Sequence, residues 1–313
     1  MNHLIFSLNA TLPIFIVMVI GMLLKKCKII DDSFVSKANK LVFQVCLPLL
    51  VFQDLVHNDF VKAWDSKFVL FCFVVTVLSI TISIVLAKLF VKKKLQGEFI
   101  QGSYRSSAAI LGIALIQNIY GTSAMGPLMI LGSVPLYNMM AVIVLSLFHE
   151  EISFNKKVIK KTLLGIIKNP IIIGIICGIV VSLMNIQIPT VLDKSVDYVA
   201  RLATPLGLMA MGASFHFEKV LVYSKETLLA VFMKLIGFTA LFLPLAIMLG
   251  FRNDQLIAIL VMLASATTVS SYIMARNMGH EGVLTTGIVM LSTLLCAFSI
   301  TMWLFIIKSI GVI

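Results

Sequence analysis

Charged residues are scarce in this sequence, and acidic residues are the scarcest of them. Only 12% of the 313 residues are Asp, Glu, Lys or Arg, and 14 are acidic, whereas a soluble domain carries about 25% charged residues. This scarcity argues against an ordinary soluble enzyme. Intramembrane hydrolysis is excluded too, because the chain has neither an H-E-x-x-H motif nor paired aspartates in an apolar segment. With 60% hydrophobic residues and a mean hydropathy of +1.06, the composition indicates an integral membrane protein.

Apolar windows of about 20 residues, the length that crosses a bilayer, recur along nearly the whole chain. Their connections are short and often carry Gly, Pro, Asn or Asp, so no soluble domain is expected between them. We therefore predict an all-α fold with ten transmembrane spans. The approximate spans are 4–24, 38–55, 67–91, 105–120, 127–148, 163–185, 198–215, 227–250, 255–275 and 283–307.

The basic residues are distributed by membrane side. Eighteen Lys and Arg residues lie in loops after odd-numbered spans, and six lie on the opposite side. The positive-inside rule makes the odd loops cytoplasmic and places both termini on the non-cytoplasmic side of the plasma membrane. The net charge of +11 then reflects topology, and no nucleic-acid partner is expected. The five cysteines show no metal-ligand or redox spacing, so no cofactor is expected.

The two halves of the sequence share a pattern at a shift of 157 residues. The matched pairs include Pro13 with Pro170, Gly21 with Gly178, and Pro48 with Pro205. Five spans per copy is an odd number, so the second copy enters the membrane from the opposite side. We therefore predict two inverted five-helix repeats, residues 1–150 and 151–313, a construction typical of secondary transporters.

Spans four and nine are unusually rich in small and hydroxylated residues. Residues 105–121 read RSSAAILGIALIQNIYG, and their counterpart at 264–279 reads ASATTVSSYIMARNMG. Small side chains let helix backbones approach closely, so we expect these spans to cross at mid-membrane. An interruption there would have to line a polar cavity, and the half-helix N-termini would suit a carboxylate. Two close-packed but continuous helices are the alternative.

Six segments spread over essentially the whole chain carry a resemblance to a known family. They are LPLLVF at 47–52, LGIALIQNIYG at 111–121, Tyr137-Asn138, NPIIIG at 169–174, TPLGLMAMGASF at 204–215 and YIMARNMG at 272–279. In this order they resemble the auxin efflux carrier family of plants and prokaryotes, which includes bacterial malate permeases. The resemblance implies ten helices in two inverted repeats, with helices four and nine broken at a crossover. It also implies organic acids as substrates.

The sequence departs from the family pattern at the crossover. Where relatives usually carry proline this chain has Ala114 and Ser271, while Ala266 replaces a further proline and Ser107 a frequent asparagine. Alanine favours a helix interior over proline by about 3 kcal/mol, so the interruption must depend on small and hydroxylated residues. The candidate substrate-binding residues are Asn138, Ser106, Ser107, Gly112, Ala114, Thr267, Thr268, Ser270, Ser271 and Gln44.

Polar side chains inside spans are costly and are functional candidates. Asn138 lies about halfway through span five, where its amide contacts either substrate or a neighbouring helix, and Gln44 in span two is a second such candidate. Lys234 lies inside the predicted span 227–250, and we expect it to snorkel to the cytoplasmic interface. Arg105 opens span four from the cytoplasm, either as an anion-recruiting residue or as an anchor. All fourteen acidic residues are placed in loops or within about a turn of a span end.

Three functions are compared on these grounds. The first is a secondary carrier of small organic anions, with spans one, two, six and seven moving against the crossover group by alternating access. The second is an uncoupled, channel-like facilitator, suggested by the absent carboxylates and prolines. The third is a ligand-binding membrane sensor, which the short loops disfavour. The expected partners are a malate-like di- or monocarboxylate and the bilayer, with a proton or sodium ion as candidate coupling ion and a homodimer as candidate assembly.

Overall fold

The computed structural model describes residues 13, 16–57, 65–107, 125–148, 165, 167–184, 186–215 and 217–313. Every regular element within these residues is a helix. Five of the described helices are long and apolar enough to cross a bilayer. They are α2 (Asp32–Val56), α3 (Ser66–Phe90), α5 (Met125–Leu147), α10 (Ser224–Met248) and α13 (Val283–Ser309).

The other helices are shorter. They are α1 (16–26), α4 (Gln96–Tyr104), α6 (Pro170–Leu183), α7 (Thr190–Arg201), α8 (Ala203–Ala213), α9 (Phe217–Val222), α11 (Asn253–Ala264) and α12 (Ser270–Asn277). The predicted all-helical class is confirmed. The arrangement as ten spans in two inverted repeats stays a prediction.

Side-chain caps set where several of these helices begin. The Asp65 carboxylate accepts the backbone N–H of Phe68 at 3.0 Å and starts α3. The Asn169 side chain accepts the N–H of Ile171 at 2.9 Å at the start of α6. Pro170 follows as the first helical residue, where its missing N–H would have no intrahelical partner in any case.

The helices pack into two groups. The scaffold group consists of α1, α2, α6, α7 and α8, in which α2 contacts α6, α7 and α8. The crossover group consists of α3, α4, α5, α10, α11, α12 and α13, with a hydrophobic core that includes Phe68, Phe99 and Leu260. The scaffold group holds the described parts of spans one, two, six and seven, which the sequence predicts as one moving unit.

Glycines bring the scaffold helices into backbone contact. A Cβ atom on Gly212 of α8 would collide with the carbonyl oxygen of Met18 in α1. A Cβ atom on Gly174 of α6 would lie 2.5 Å from the carbonyl oxygen of Pro48 in α2. Each contact joins a helix of the first half of the chain to one of the second half. Close approach through small residues is the usual way in which membrane helices associate.

Span nine is interrupted, and span four begins earlier than predicted. Helix α11 ends at Ala264 and α12 begins at Ser270, with residues 265–269 outside both helices. The alternative of a continuous ninth helix is therefore wrong. The sequence placed span four at 105–120, but α4 already covers 96–104, and the backbone is extended at Arg105 (φ −67°, ψ 142°). The remainder of span four, residues 108–124, lies outside the described residues.

Glu98 lies near a helix end, as the sequence predicts for acidic residues, but it is buried. It lies within α4, and its side chain is only 1% exposed. Its carboxylate accepts the N–H groups of Gly282 and Thr285, each at 2.8 Å, and the Thr285 hydroxyl at 2.9 Å. The carboxylate therefore caps the N-terminus of α13, where unpaired N–H groups and the positive end of the helix dipole stabilise a negative charge.

Candidate functional site

The interruption in span nine crosses the chain immediately after α4. The N–H of Ser107 donates to the carbonyl oxygen of Ala266 at 2.9 Å and joins the two extended segments. The hydroxyls of Ser106 and Ser265 hydrogen-bond to each other. We call this crossing of residues 105–107 with residues 265–269 the crossover. Unwound backbone at this depth requires such partners, because lipid offers none.

Side-chain hydrogen bonds to neighbouring helices satisfy further backbone groups at the interruption. The Thr267 hydroxyl donates to the carbonyl oxygen of Gly102 at 2.7 Å, and the Thr267 N–H donates to the Ser292 hydroxyl at 3.0 Å. The Gln101 amide donates to the carbonyl oxygen of Ser271 at 2.9 Å. Hydroxyl and amide groups thus hold the interruption without proline. Ser271 itself lies one residue inside α12, in the first turn of that half-helix.

Arg105 enters the crossover as a buried cation. Its residue exposure is 2%. One guanidinium nitrogen, Nη2, donates to Asn138 Oδ1 and to Ser270 Oγ, both at 2.8 Å, and Nη1 lies 2.7 Å from the Met274 sulfur. These three partners are uncharged, and Nε has no hydrogen-bond partner among the residues that the structure describes. None of these contacts balances the guanidinium charge.

A cavity of about 140 Å³ lies between the scaffold group and the crossover group, and Arg105 is part of its wall. The scaffold wall includes Leu47, Asp54 and Thr204. Asp54 lies within a turn of the end of α2, as the sequence predicts for acidic residues, and it also lines this cavity. The N-terminal end of α12, at Ser270, also forms part of the wall. The cavity therefore combines a cation, a carboxylate, a helix N-terminus and hydroxyl groups.

The family model described as membrane transport protein matches residues 6–304, nearly the whole chain. The chain belongs to the auxin efflux carrier family. The resemblance found in the six sequence segments is thereby confirmed. Members of this family are membrane transporters, which supports the interpretation that the chain is a multi-pass transporter of a small molecule and not an enzyme. Comparison with curated proteins finds no match to the chain.

The structure brings some of the predicted site residues of this auxin efflux carrier family member together and not others. Those that line the cavity are Asn138, Ser106, Ser107, Thr268 and Ser270. Thr267 and Ser271 are buried at the crossover but are not part of the cavity wall. Gln44 lies on an exposed face of α2. Gly112 and Ala114 lie outside the described residues.

Two charged residues of this transporter lie at positions that the sequence did not predict. The sequence placed Arg105 at the cytoplasmic end of span four. In the structure it follows the 9 residues of α4, which extend about 14 Å at about 1.5 Å per residue, so Arg105 lies that far from the start of α4. Its position directly before the small-residue segment was the available signal. Lys234 does not snorkel, because it is 1% exposed and its ammonium donates to the carbonyl oxygens of Leu263 and Met262.

A second, larger cavity of about 500 Å³ is lined by other side chains of α12, namely Tyr272 and Arg276. Its lining includes Lys25, Tyr223, Tyr272 and Arg276, and Lys25 pairs with Asp32 at 2.6 Å. Lys25 and Arg276 belong to the loops predicted to be cytoplasmic. Helix α12 contributes to the walls of both cavities, so it separates the crossover from the predicted cytoplasmic side.

The charged and partly charged groups at the crossover are protein side chains and helix ends. Within the ranges that the structure describes, no group of three or more His, Cys, Asp or Glu side chains lies close enough to hold a metal ion. The chemistry that the arrangement offers is reversible binding of an anion through Arg105, the hydroxyls and the N-terminus of α12.

Proposed function

We propose that this transporter is a secondary carrier of small organic anions and binds them at the crossover. The observation that carries the proposal is the state of Arg105, a buried cation whose hydrogen-bond partners within the described residues are uncharged. A desolvated charge without a counter-ion is unfavourable by several kcal/mol. A substrate carboxylate bound to Arg105 supplies the opposite charge and completes the site.

The shape and the other polar groups of the cavity favour the same class of substrate. Its volume of about 140 Å³ equals that of roughly five liquid waters, at ~30 Å³ each, which suits an acid of a few carbon atoms. The hydroxyls of Thr268 and Ser270 offer hydrogen bonds, and the N-terminus of α12 adds about half a positive charge. Malate-like di- and monocarboxylates fit this combination of size and charge.

The position of the cavity supports alternating access. Its walls come from both helix groups, so a shift of the scaffold group against the crossover group would open the site first to one side and then to the other. Asp54 in the cavity wall removes one argument for a channel-like facilitator, namely the absence of a carboxylate near the site.

The helix boundaries support the proposed inverted repeats, residues 1–150 and 151–313. Ser66 and Ser224, the first residues of α3 and α10, are 158 positions apart. The first residues of α4 and α11 are 157 apart. These shifts match the 157 found in the sequence. Plasma-membrane location, external termini, proton or sodium coupling and a homodimer remain predictions.

Uptake of radiolabelled malate into proteoliposomes tests the proposal with Arg105→Gln and a matched Arg201→Gln control. A hydrogen bond to a charged group contributes about 1.5–3 kcal/mol, so we expect the half-saturation concentration of Arg105→Gln to rise roughly 10- to 100-fold. Arg201 is exposed on α7 and, within the described residues, its side chain pairs with Asp197, so its replacement should leave uptake unchanged.

Preloading the vesicles distinguishes the two transport mechanisms. A carrier shows saturable uptake that unlabelled internal substrate accelerates. A facilitator shows flux that neither saturates nor responds to internal substrate. Wild-type uptake no greater than in empty vesicles across a panel of organic anions, or an Arg105→Gln protein indistinguishable from wild type, would contradict the proposal.

A further inference from the structure

The C-terminal end of half-helix α11 presents backbone carbonyl groups inside the protein. A helix leaves its last four carbonyls without intrahelical partners and carries about half a negative charge at that end. In α11, the carbonyl of Val261 accepts the N–H of Ser265 at 3.1 Å. Met262 and Leu263, the next two residues, need partners from another element.

Lys234 of α10 supplies both partners. Its ammonium donates to the carbonyl oxygen of Leu263 at 2.8 Å and to that of Met262 at 3.2 Å. The side chain is 1% exposed, so water does not share the charge. Within the described part of the chain these two carbonyls are its hydrogen-bond partners, and the titratable group that interacts with it is the Cys296 thiol of α13. No carboxylate is among these contacts.

The backbone at Lys234 has a local helical irregularity that contacts with α13 stabilise. Lys234 lies in the π-helical turn Met233–Gly237, which interrupts the α-helical pattern of α10. The carbonyl oxygen of Leu235 in this turn accepts the Ser299 hydroxyl at 2.8 Å and the Trp303 indole N–H at 3.1 Å. Two side chains of α13 thus fix the turn, and the turn directs the ammonium to the end of α11.

A buried set of carbonyl oxygens at the C-terminus of a broken helix has the chemistry of a monovalent-cation site. Carbonyl oxygens of unwound backbone and half-helix C-termini coordinate coupling ions in transporters with interrupted helices. Here a covalently attached ammonium stands at such a position. Its charge and its hydrogen bonds replace those that a sodium ion would supply.

We propose that Lys234 is a built-in cation that occupies a latent monovalent-cation site at the end of α11. Truncating its side chain opens this site, and a small cation then binds to the carbonyl oxygens of Met262 and Leu263. One consequence of this inference rests on the proposed transport function. If the protein transports organic anions, uptake by the truncated protein becomes dependent on that cation. The cation site itself is a property of the folded protein without substrate.

The experiment compares melting temperatures of detergent-purified wild type, Lys234→Ala, Lys234→Met and the exposed control Lys225→Ala. Each is measured in choline chloride and in sodium, potassium or methylammonium chloride at equal ionic strength, without organic anions. We expect wild type and Lys225→Ala to melt alike in all salts. Lys234→Ala should melt lower in choline and recover by several degrees, saturably, in at least one small cation. Lys234→Met, which fills the space without charge, should melt lower and not recover.

Three results would overturn the inference. They are equal melting of Lys234→Ala in every salt, wild-type stability of Lys234→Met in choline, and a saturable response of wild type to a small cation. If Lys234→Ala is not recovered from membranes solubilised in choline, it is purified in the other salts, and its absence from all of them also counts against the inference. Because the assay contains no substrate, a failure of malate uptake by wild type would leave this test intact.

Discussion

At the scale of single residues, the environment of Arg105 explains the role of Asn138. The amide oxygen of Asn138 accepts from the guanidinium at 2.8 Å, while its amide nitrogen donates to the carbonyl oxygen of Val134 in its own helix at 3.1 Å. Both ends of the amide are therefore engaged. Asn138 therefore helps to position the Arg105 guanidinium and, because its amide is neutral, leaves the positive charge uncompensated.

Replacing Asn138 by Asp should reduce transport more than replacing it by Ala. A carboxylate at this position forms an ion pair with Arg105 and neutralises the charge that attracts the substrate. Alanine removes one hydrogen bond and leaves the charge. In malate uptake assays we expect the half-saturation concentration to rise by at least an order of magnitude more for Asn138→Asp than for Asn138→Ala. Gln44→Ala, on the exposed face of α2, should match wild type. Equal uptake by the two Asn138 variants would contradict this role.

The sequence predicted the small and neutral residues of the site better than its charged ones. Ser106, Asn138 and Ser270 could be found because small or amide residues inside an apolar span stand out. The position of Arg105 depends on where span four begins, and the polar segment 96–104 reads as a loop on any hydropathy scale. That segment is buried in protein and not in lipid, since every residue from Gly97 to Tyr104 is buried. Hydropathy describes transfer to lipid and cannot detect such an environment.

At the scale of helices, the crossover is kept open by hydrogen bonds between elements. The break after Ala264 occurs although neither Ala266 nor Ser271 is proline. Serine and threonine hydroxyls and the backbone of the opposite segment satisfy the freed peptide groups. The sequence located the crossover through its small residues. It could not show what holds the break, because those partners come from helices distant in sequence.

Helix packing in the scaffold group gives a prediction of its own. Gly212→Ala should destabilise the protein by about 1–3 kcal/mol, because the added methyl must push α8 away from the backbone of α1 at Met18. Thermal unfolding in detergent measures the effect as a lower melting temperature. Gly165→Ala is the matched control, since a Cβ atom there meets nothing within 4 Å among the described residues. Equal melting of the two variants would show that α1 and α8 do not depend on this close contact.

At the scale of the whole molecule, two properties follow from the same arrangement of helices. Contacts such as Gly212 with Met18 pair a helix of one half of the chain with a helix of the other. The scaffold group is therefore assembled from both halves, as is the crossover. The shift of 157 residues in the sequence predicted the repeated unit. It could not predict which helices pack together, because that depends on contacts between residues far apart in the chain.

The proposed inverted relation of the two halves predicts opposite membrane sides for two equivalent loops. Lys93 follows α3 and Arg252 follows α10, and both side chains are exposed. Each is replaced by cysteine in a background in which the exposed Cys27 and Cys177 are serine, the other three cysteines being buried. An impermeant maleimide should label Arg252→Cys in intact cells but Lys93→Cys only after permeabilisation, because the positive-inside rule makes the lysine-rich loop cytoplasmic.

Labelling of both variants in denaturing detergent controls for expression and thiol reactivity. Labelling of both from the same side in intact cells would exclude an odd number of membrane crossings between the two loops, and with it the inverted repeat. Labelling of Lys93→Cys alone from outside would keep the repeat but reverse its orientation. The lysine-rich loops would then face outward, and the 500 Å³ cavity beside Arg276 would open to the exterior. The assay therefore decides both the topology and the side from which the crossover is approached in this conformation.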